Sequence, residues 1–254
     1  MTMRDDLTAI VLTLDEEGHL PGCLASLAQL TQKVIVVDSG SSDQTVDIAR
    51  AAGAHVTTRR FDGYASQRNA ALLLADTPWV LFLDADERLT PEGAIELTAF
   101  LDDASEEVVG GRLPRYNIVF GRALRGGGWW PDHQTRLLRR ASARYDEHRQ
   151  VHEVVILDGQ AVDLVTPLVH LNYETRGEFV RKQQIYSSQA AAQMVFEGQI
   201  PRRRSYLSAP ARELVRRFVM RHGYRDGSTG LFLALVLAYE QARIVWLVRH
   251  GARR

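Results

Sequence analysis

The chain has 254 residues, of which 45% are hydrophobic and 24% are charged, and its formal net charge is zero. These values are ordinary for a globular protein and exclude a chain that is mainly disordered. The single cysteine, Cys23, excludes an internal disulfide and a cysteine-based zinc site. Acidic residues near the N-terminus are unlike the basic start of a secretory signal, so we expect a cytoplasmic protein.

The first hundred residues alternate short apolar runs with helical patterns. The apolar runs are typical of strands that are buried on both faces: Leu7–Leu12, Val34–Val37, Ala54–Thr57 and Trp79–Leu83. Helical patterns lie between them, at His19–Leu30, Asp43–Ala52 and Tyr64–Ala75. Strands that alternate with helices of this length predict a parallel sheet built from βαβ units.

After about residue 105 the pattern changes to strands without long helices between them. These strands are predicted at Val108–Phe120, Gln134–Arg140, Val151–Leu157 and Ala161–Leu171, and a glycine-rich loop, Arg125–Pro131, follows the first. Helices are predicted at Glu178–Phe196, Pro210–His222 and Ser228–His250. We therefore divide the chain into a domain of residues 1–200 and a helical tail of residues 201–254. Within the domain, residues 1–105 form a nucleotide-binding half, 106–177 a mixed-sheet half and 178–200 a helix.

The zero net charge conceals a segregation of charge along the chain. The tail, residues 201–254, contains 12 arginines, no lysine and only 3 acidic residues. The rest of the chain is correspondingly acidic. This asymmetry predicts that the tail meets an anionic partner.

Two aspartates, Asp84 and Asp86, come directly after the fourth apolar run, in the sequence LFLDADER. Ligands of open α/β sheets bind beyond the carboxyl ends of the strands. Two carboxylates at such a position can reach one hard divalent cation, Mg²⁺ or Mn²⁺, which usually also holds substrate phosphates. The alternative is a turn whose aspartates only lead into the next helix.

Two further acidic segments follow earlier strands. Asp38 ends the second apolar run, in VIVVDSGSSDQT, where a carboxylate can accept hydrogen bonds from a base or a ribose. Thr13, Asp15 and Glu17 follow the first run. The alternative for both segments is an ordinary helix start with a capping side chain.

In combination these motifs resemble the family 2 glycosyltransferases of the GT-A fold, and most closely the bacterial lipopolysaccharide-core β-glucosyltransferases. The segment GYASQRNAA at 63–71 resembles that subgroup's helix after the third strand, and WWPDHQTRLLRR at 129–140, VHE at 151–153 and PLVHLNY at 167–173 fit as well. The resemblance implies an α/β fold with a Rossmann-like mixed sheet. It also implies an inverting, metal-dependent transfer of a sugar, glucose, from a UDP-sugar to a glycan acceptor of the lipopolysaccharide inner core.

The resemblance also implies roles for individual residues. Those expected to bind the nucleotide sugar are Thr13, Asp15, Glu17, Asp38, Gln67, Arg68, Asn69 and Asp84, with Asp38 reading the uracil or ribose. Asp86 is expected to be the main protein ligand of Mg²⁺ or Mn²⁺, with Asp84 also in contact and His170 completing the site. Asp15 stands where the family usually has Asn, which leaves its role open. His170 is equally compatible with a core histidine.

An inverting transfer needs a base that takes the proton from the acceptor hydroxyl. Glu153 is the first candidate, because its apolar neighbours would desolvate the carboxylate and raise its pKa. Asp132 is the second, and it can instead hold the glycine-rich loop. Trp129 and Trp130 on that loop are expected to stack on acceptor sugars, with His133 nearby, although a tryptophan pair can also serve packing alone.

The tail combines its arginines with an apolar helix around Leu231–Leu237. We expect it to lie in an anionic membrane surface on the inner face of the cytoplasmic membrane, because its charge-free stretch is shorter than the roughly 20 residues that a spanning helix needs. The alternative is a helix buried against the domain or in a homo-oligomer. Nucleic acid is not expected as a partner, because the apolar content suits lipid better.

Two other functions compete with the transferase. A haloacid-dehalogenase-like phosphatase also has two aspartates after an apolar strand, but there the pair follows the first strand and not the fourth. A non-catalytic protein that binds sugar nucleotides or lipids could keep the same fold. The intact set of acidic residues favours the enzyme.

Overall fold

The computed structural model describes residues 3–147 and 154–251. Two compact units make up the chain. The first comprises Met1–Arg115 and His133–His170, and the second comprises Tyr116–Asp132 and Leu171–Arg254. The glycine-rich loop thus belongs to the same unit as the C-terminal helices.

Four parallel strands form one half of the sheet in the first unit, as the apolar runs predict. They are β1 (Leu7–Thr13), β2 (Val34–Asp38), β3 (His55–Thr58) and β4 (Trp79–Asp84), in the order β3-β2-β1-β4. The helices after them are α1 (Leu20–Leu27), α2 (Thr45–Ala51), α3 (Tyr64–Leu74) and α4 (Pro91–Asp103). Thr13 pairs with Asp38, and Leu12 with Asp84, so these strands end at a common edge.

The strands that follow β4 along the chain pair mostly antiparallel, but the strand Gln160–Asp163 pairs in parallel. They are β5 (Glu87–Arg88), β6 (Val108–Val119), β7 (Arg122–Ala123), β8 (His133–Arg139), β9 (Ala143–Tyr145), β10 (Val155–Leu157), β11 (Gln160–Asp163) and β12 (Leu168–Tyr173). The full order is β3-β2-β1-β4-β8-β6-β12-β5, with β7 and β11 also paired to β6 and with β9 and β10 as a separate pair. The predicted strand Ala161–Leu171 is therefore two strands. Of the predicted Val151–Leu157, only the last part lies within the described residues.

The core of the first unit lies on both faces of this sheet. One cluster contains side chains of β1, α1 and α4, including Leu20 and Leu97, and the other contains Ile10, Phe82 and Leu138. Side chains of the parallel strands alternate between these two clusters. Continuous apolar runs are the consequence, because a strand covered on both faces has no exposed side.

The second unit is mainly helical. Its helices are α5 (Arg176–Phe196), α6 (Ser205–Leu214) and α7 (Gly227–Gly251), with a π-helical turn at Val215–Met220 and a 3₁₀ turn at Gly223–Asp226. Helix α6 begins before Pro210, and not at it as predicted. Both α5 and α6 pack against α7. The core here contains Val119, Leu124, Tyr173, Phe179 and Leu233.

Helix α7 matches the predicted Ser228–His250 to within one residue at each end. The segment Gly223–Gly251 contains a window of 18 residues with a mean hydropathy of 1.7, of which 33% is buried within the protein. By length and composition alone this helix could cross a membrane. The expectation that this helix is too short to span a membrane is therefore wrong. Core helices of soluble proteins satisfy the same criteria.

Candidate active site

The carboxyl ends of β1 and β2 meet in a polar cluster centred on Asp38. This side chain accepts hydrogen bonds from Thr13 Oγ1 at 3.1 Å and from the backbone N–H groups of Gly40 and Ser41 at 2.9 Å each. Burial would raise the pKa of Asp38, but the hydrogen bonds from Ser41, Gly40 and Thr13 outweigh it and lower the pKa below its ordinary value. Asp38 is therefore a fixed carboxylate at the strand ends.

Asp15 and Glu17 connect the loop after β1 to the loop after β2. Asp15 Oδ1 accepts the N–H of Ser42 at 2.7 Å, and Glu17 Oε2 accepts the N–H of Gln44 at 3.0 Å. Asp15 also has a left-handed backbone, with φ of 54°, a conformation that Asn and Asp tolerate better than most residues. Both carboxylates therefore order this edge, which is compatible with either interpretation of the segment.

Three consecutive side chains of α3 have different surroundings. Gln67 is buried and donates from Nε2 to Ser39 Oγ at 3.2 Å. Arg68 is buried and donates to Asp84 Oδ1 at 3.2 Å. Asn69 donates to the carbonyl of Tyr145 at 3.0 Å and accepts its N–H at 2.7 Å. Gln67 and Arg68 thus lie beside strand-end groups, whereas Asn69 holds β9.

Asp84 lies in a network of buried ion pairs. Its carboxylate contacts Arg136 and Arg68, and Arg136 also contacts Glu87 Oε1 at 2.5 Å. Glu87 has no exposed side-chain surface; it accepts from Arg115 at 3.2 Å and from the backbone N–H of Asp84 at 3.1 Å. Burial opposes ionisation of Asp84, but Arg136 and Arg68 outweigh it and hold its pKa well below the usual range. Asp84 is thus held by guanidinium groups.

Asp86 has a different environment in the turn between β4 and β5. Its Oδ2 lies 3.2 Å from Nε2 of His170, which β12 brings there by pairing His170 with Glu87. Its Oδ1 is buried and has no hydrogen-bond partner among the described residues. A carboxylate oxygen in this state, beside an imidazole nitrogen, fits a divalent cation. Within the described residues, no group of three or more His, Cys, Asp or Glu side chains is placed to hold a metal ion. Substrate oxygens would therefore have to complete the coordination of a cation at Asp86.

The glycine-rich loop lies in the second unit. Trp129 packs against Tyr173 and Phe179, with ring centroids 6.3 Å away in each case. Trp130 instead stacks on Tyr116, with ring centroids 4.1 Å apart; both tryptophans are half-buried, but Trp129 is the one that packs against the core of the second unit. Trp130 therefore remains a candidate for stacking on a sugar, whereas the position of Trp129 favours the packing alternative.

Asp132 follows this loop and accepts a hydrogen bond from Asn117 Nδ2 at 3.2 Å. The same amide group donates to the carbonyl of Trp129 at 2.9 Å, so Asp132 and the loop share one anchor. His133 is exposed at the start of β8. Glu153, the first candidate for the base, lies outside the described residues together with His152.

Comparison with known proteins identifies the family. The model of glycosyl transferase family 2 matches residues 8–158, more than half of the chain. The chain belongs to glycosyltransferase family 2. The lipopolysaccharide core biosynthesis glycosyltransferase LpsC of Rhizobium meliloti is 31% identical over 235 residues, covering 90% of this chain and 86% of that protein. An uncharacterised glycosyltransferase of Rickettsia typhi is 28% identical, covering 76% of this chain and 69% of the relative.

Two of the solved structures that match the chain are the following. TarS of S. aureus (residues 1–349, with UDP) has a TM-score of 0.49 and 15% identity, covering 97% of this chain and 92% of that one. Glucosyl-3-phosphoglycerate synthase from Mycobacterium tuberculosis, with Mn²⁺ and UDP-glucose, has a TM-score of 0.38 and 22% identity, covering 44% and 43%. The family match and the observed mixed sheet confirm the predicted GT-A type of α/β fold and the glycosyltransferase activity.

Three charged side chains of the candidate site are not among the residues predicted from the sequence: Glu87, Arg115 and Arg136. Glu87 and Arg136 are both buried, and a buried charge needs a partner. The available signal was Glu87, which directly follows the two aspartates in LFLDADER. The sequence around Arg136 gives a weaker signal, because the chain has many arginines and TRLLRR is typical of an ordinary strand.

Proposed function

We propose that this family 2 glycosyltransferase transfers glucose from UDP-glucose, with inversion, to a hydroxyl of the lipopolysaccharide inner core, and that it requires Mg²⁺ or Mn²⁺. The observation that carries the proposal is the buried, unpartnered Oδ1 of Asp86 beside His170. The similarity to a lipopolysaccharide core glycosyltransferase over 90% of the chain supports the class of acceptor.

In this proposal Asp86 and Nε2 of His170 hold the cation. The bound cation would neutralise the charge that develops on the diphosphate as the sugar leaves. Asp84 stays ionised because Arg136 and Arg68 stabilise its negative charge, and it contacts the ribose through its exposed side. Asp38, oriented by Thr13 and Ser41, accepts hydrogen bonds from the uracil or the ribose.

The acceptor hydroxyl loses its proton to a carboxylate as it attacks the sugar. We keep Glu153 as the base and Asp132 as the alternative. Asp132 already accepts from Asn117, which suits a group that holds the loop. Trp130, stacked on Tyr116, offers a ring for the acceptor sugar. Each assignment is a proposal that single substitutions can test.

A first experiment measures hydrolysis of a panel of nucleotide sugars, with Mn²⁺ or with EDTA. We expect the wild type to hydrolyse UDP-glucose slowly and only with the metal. Asp86→Asn should abolish this, whereas Asp76→Asn, which removes an exposed carboxylate, should not. If no nucleotide sugar is hydrolysed, the non-catalytic alternative is favoured. Hydrolysis that EDTA does not affect would exclude the metal.

A second experiment separates the two candidate bases. Glu153→Gln keeps the shape of the side chain and removes its basicity, so it should lower kcat by roughly 10²–10⁴ with little change in donor affinity. Asp132→Asn should have the smaller effect. Near-normal turnover in Glu153→Gln together with loss in Asp132→Asn would reverse the two roles.

We also propose that residues 201–254 bind an anionic membrane surface on the cytoplasmic side without crossing it. On α7, four apolar or aromatic side chains are at least 41% exposed and lie four or seven residues apart, on one side of the helix: Leu231, Leu235, Tyr239 and Trp246. Glu240 and Arg243 argue against crossing, because they belong to a buried polar contact with Ser187 of α5. An exposed apolar face near many arginines suits the interface of an anionic bilayer.

Liposome flotation tests this proposal. Binding to anionic vesicles should weaken with salt without disappearing, because screening affects the arginines and not the apolar face. Equal binding to neutral and anionic vesicles would exclude a role of the arginines. Absence of binding to either, with a stable dimer in solution, would make the tail an oligomerisation element.

A further inference from the structure

The glycine-rich loop is in close contact with the turn that precedes α7. The carboxylate of Asp226 accepts the backbone N–H groups of Arg125 at 2.7 Å and of Gly126 at 2.9 Å. A Cβ atom on Gly126 would lie only 2.1 Å from the carbonyl oxygen of His222. The loop therefore needs glycine at this position, and tail residues fix its backbone.

Arg216, Arg217 and Arg221 of the tail lie near one another and near the carboxylate of Glu213. Glu213 accepts from Nε of Arg216 and from Nε of Arg217, at 2.8 Å each. Both of its oxygens are used in these pairs. Arg221 has no hydrogen-bond or ion-pair partner for its side chain within the described part of the chain. The cluster of Arg216, Arg217, Arg221 and Glu213 thus carries an excess of positive charge.

The guanidinium groups of this cluster lie against the glycine-rich loop. Arg217 Nη1 donates to the carbonyl of Gly127 at 2.8 Å. A Cβ atom on Gly128 would lie 2.5 Å from Arg221 Nη1 and 3.3 Å from Arg217 Nη1. Arg221 is exposed, but its remaining burial and the neighbouring Arg216 and Arg217 lower the pKa of its side chain, and Glu213 only partly offsets them. A charge that its surroundings disfavour in this way gains stability when an anion binds next to it.

We propose that Arg221, together with Arg217, forms a phosphate-binding subsite on the glycine-rich loop. Guanidinium groups match the oxygens of a phosphate in charge and in the fork geometry of their donors. The same loop carries Trp130 and leads into Asp132, which we assign to the acceptor side. The subsite therefore rests on the proposed function: it recognises a phosphate group on the acceptor, borne either by its glycan or by a lipid headgroup.

The test compares the full-length wild type with Arg221→Gln and with Arg212→Gln. Arg212 is an exposed arginine of α6 outside the cluster, so its substitution removes the same charge and serves as the matched control. Affinity for inorganic phosphate is measured by titration calorimetry. Loss of a charge-assisted hydrogen bond should weaken binding about tenfold or more in Arg221→Gln and leave Arg212→Gln like the wild type. Equal affinity in all three proteins would overturn the proposal.

Two further probes distinguish the sources of the phosphate. One is a phosphorylated inner-core oligosaccharide before and after phosphatase treatment, and the other is phosphatidylglycerol vesicles against phosphatidylcholine vesicles. A selective loss of oligosaccharide binding in Arg221→Gln assigns the phosphate to the glycan, and a selective loss of vesicle binding assigns it to the headgroup. If the variant binds both probes as the wild type does, the subsite is refuted.

Affinity for UDP separates this proposal from the proposed function. Arg221 should not affect it, so a loss of UDP affinity in Arg221→Gln would overturn an acceptor role for the cluster. A wild type that neither binds UDP nor hydrolyses UDP-glucose, but binds phosphate through Arg221, would contradict the proposed transfer and still support the subsite.

Discussion

Replacing Arg136 by methionine tests the buried ion pairs that this side chain forms with Asp84 and Glu87. The substitution keeps most of the side-chain volume and removes the charge that Asp84 and Glu87 share. Removing one partner of a buried pair typically costs about 3–5 kcal/mol, because the other charge stays buried without compensation. Glu87 keeps Arg115 at 3.2 Å, and Asp84 keeps Arg68 at 3.2 Å and part of its exposure to solvent. We therefore expect the lower end, a loss of about 3 kcal/mol in the free energy of unfolding.

Urea denaturation of the wild type, Arg136→Met and Arg112→Met measures this loss. Arg112 forms an exposed pair with Asp163, so its substitution should cost less than about 1 kcal/mol. The pH dependence gives a second check. The folded-state pKa of Asp84 lies below its ordinary value of 3.8, so its contribution is present above that pH and is lost as the pH falls below it. In Arg136→Met this acid-dependent part should shrink.

A loss in Arg136→Met no larger than that in Arg112→Met would refute the reasoning. The charges of Asp84 and Glu87 would then be solvated or otherwise compensated. If the loss of stability at acidic pH is the same in Arg136→Met as in the wild type, Arg136 does not lower the pKa of Asp84.

Two other substitutions test local contacts. Asn69→Ala removes two side-chain hydrogen bonds to the backbone of Tyr145 and should destabilise the protein by about 1–3 kcal/mol in urea denaturation. Unchanged affinity for UDP would then exclude the predicted role of Asn69 in nucleotide binding, and a large loss of that affinity would support it. Gly126→Ala introduces a Cβ atom 2.1 Å from the carbonyl oxygen of His222 and should lower the free energy of unfolding by about 1–3 kcal/mol. Gly177→Ala, with open space around it, is the control and should cause no such loss. Equal melting temperatures of the two variants would contradict the close contact.

Much of the first unit can be predicted from the sequence, because its signals are local. The apolar runs around Ile10 and Phe82 identify strands that are buried on both faces, and the aspartates after β4 mark the strand ends where ligands bind. Asp84 and Asp86 look alike in the sequence, however. They differ because antiparallel strands bring Arg136 to one and His170 to the other, and no local pattern encodes those pairings.

The second unit is harder to predict, because its decisive contacts join distant segments. Gly126 is required by the carbonyl of His222, almost one hundred positions along the chain. Pro210 is typical of a helix start, yet packing of α6 against α7 extends the helix to the residues before it. Trp129 is indistinguishable from Trp130 in sequence, and only the rings of the second core give them different surroundings.

The most direct test of the central claim is to measure Mn²⁺ binding by electron paramagnetic resonance in the presence of UDP. The wild type and Asp76→Asn should bind one Mn²⁺ that depends on UDP, and Asp86→Asn should lose it, because the buried Oδ1 of Asp86 is the oxygen proposed to hold the cation. UDP affinity should fall with EDTA in the first two proteins and be unaffected by EDTA in Asp86→Asn. Identical Mn²⁺ and UDP binding in all three proteins would contradict the account.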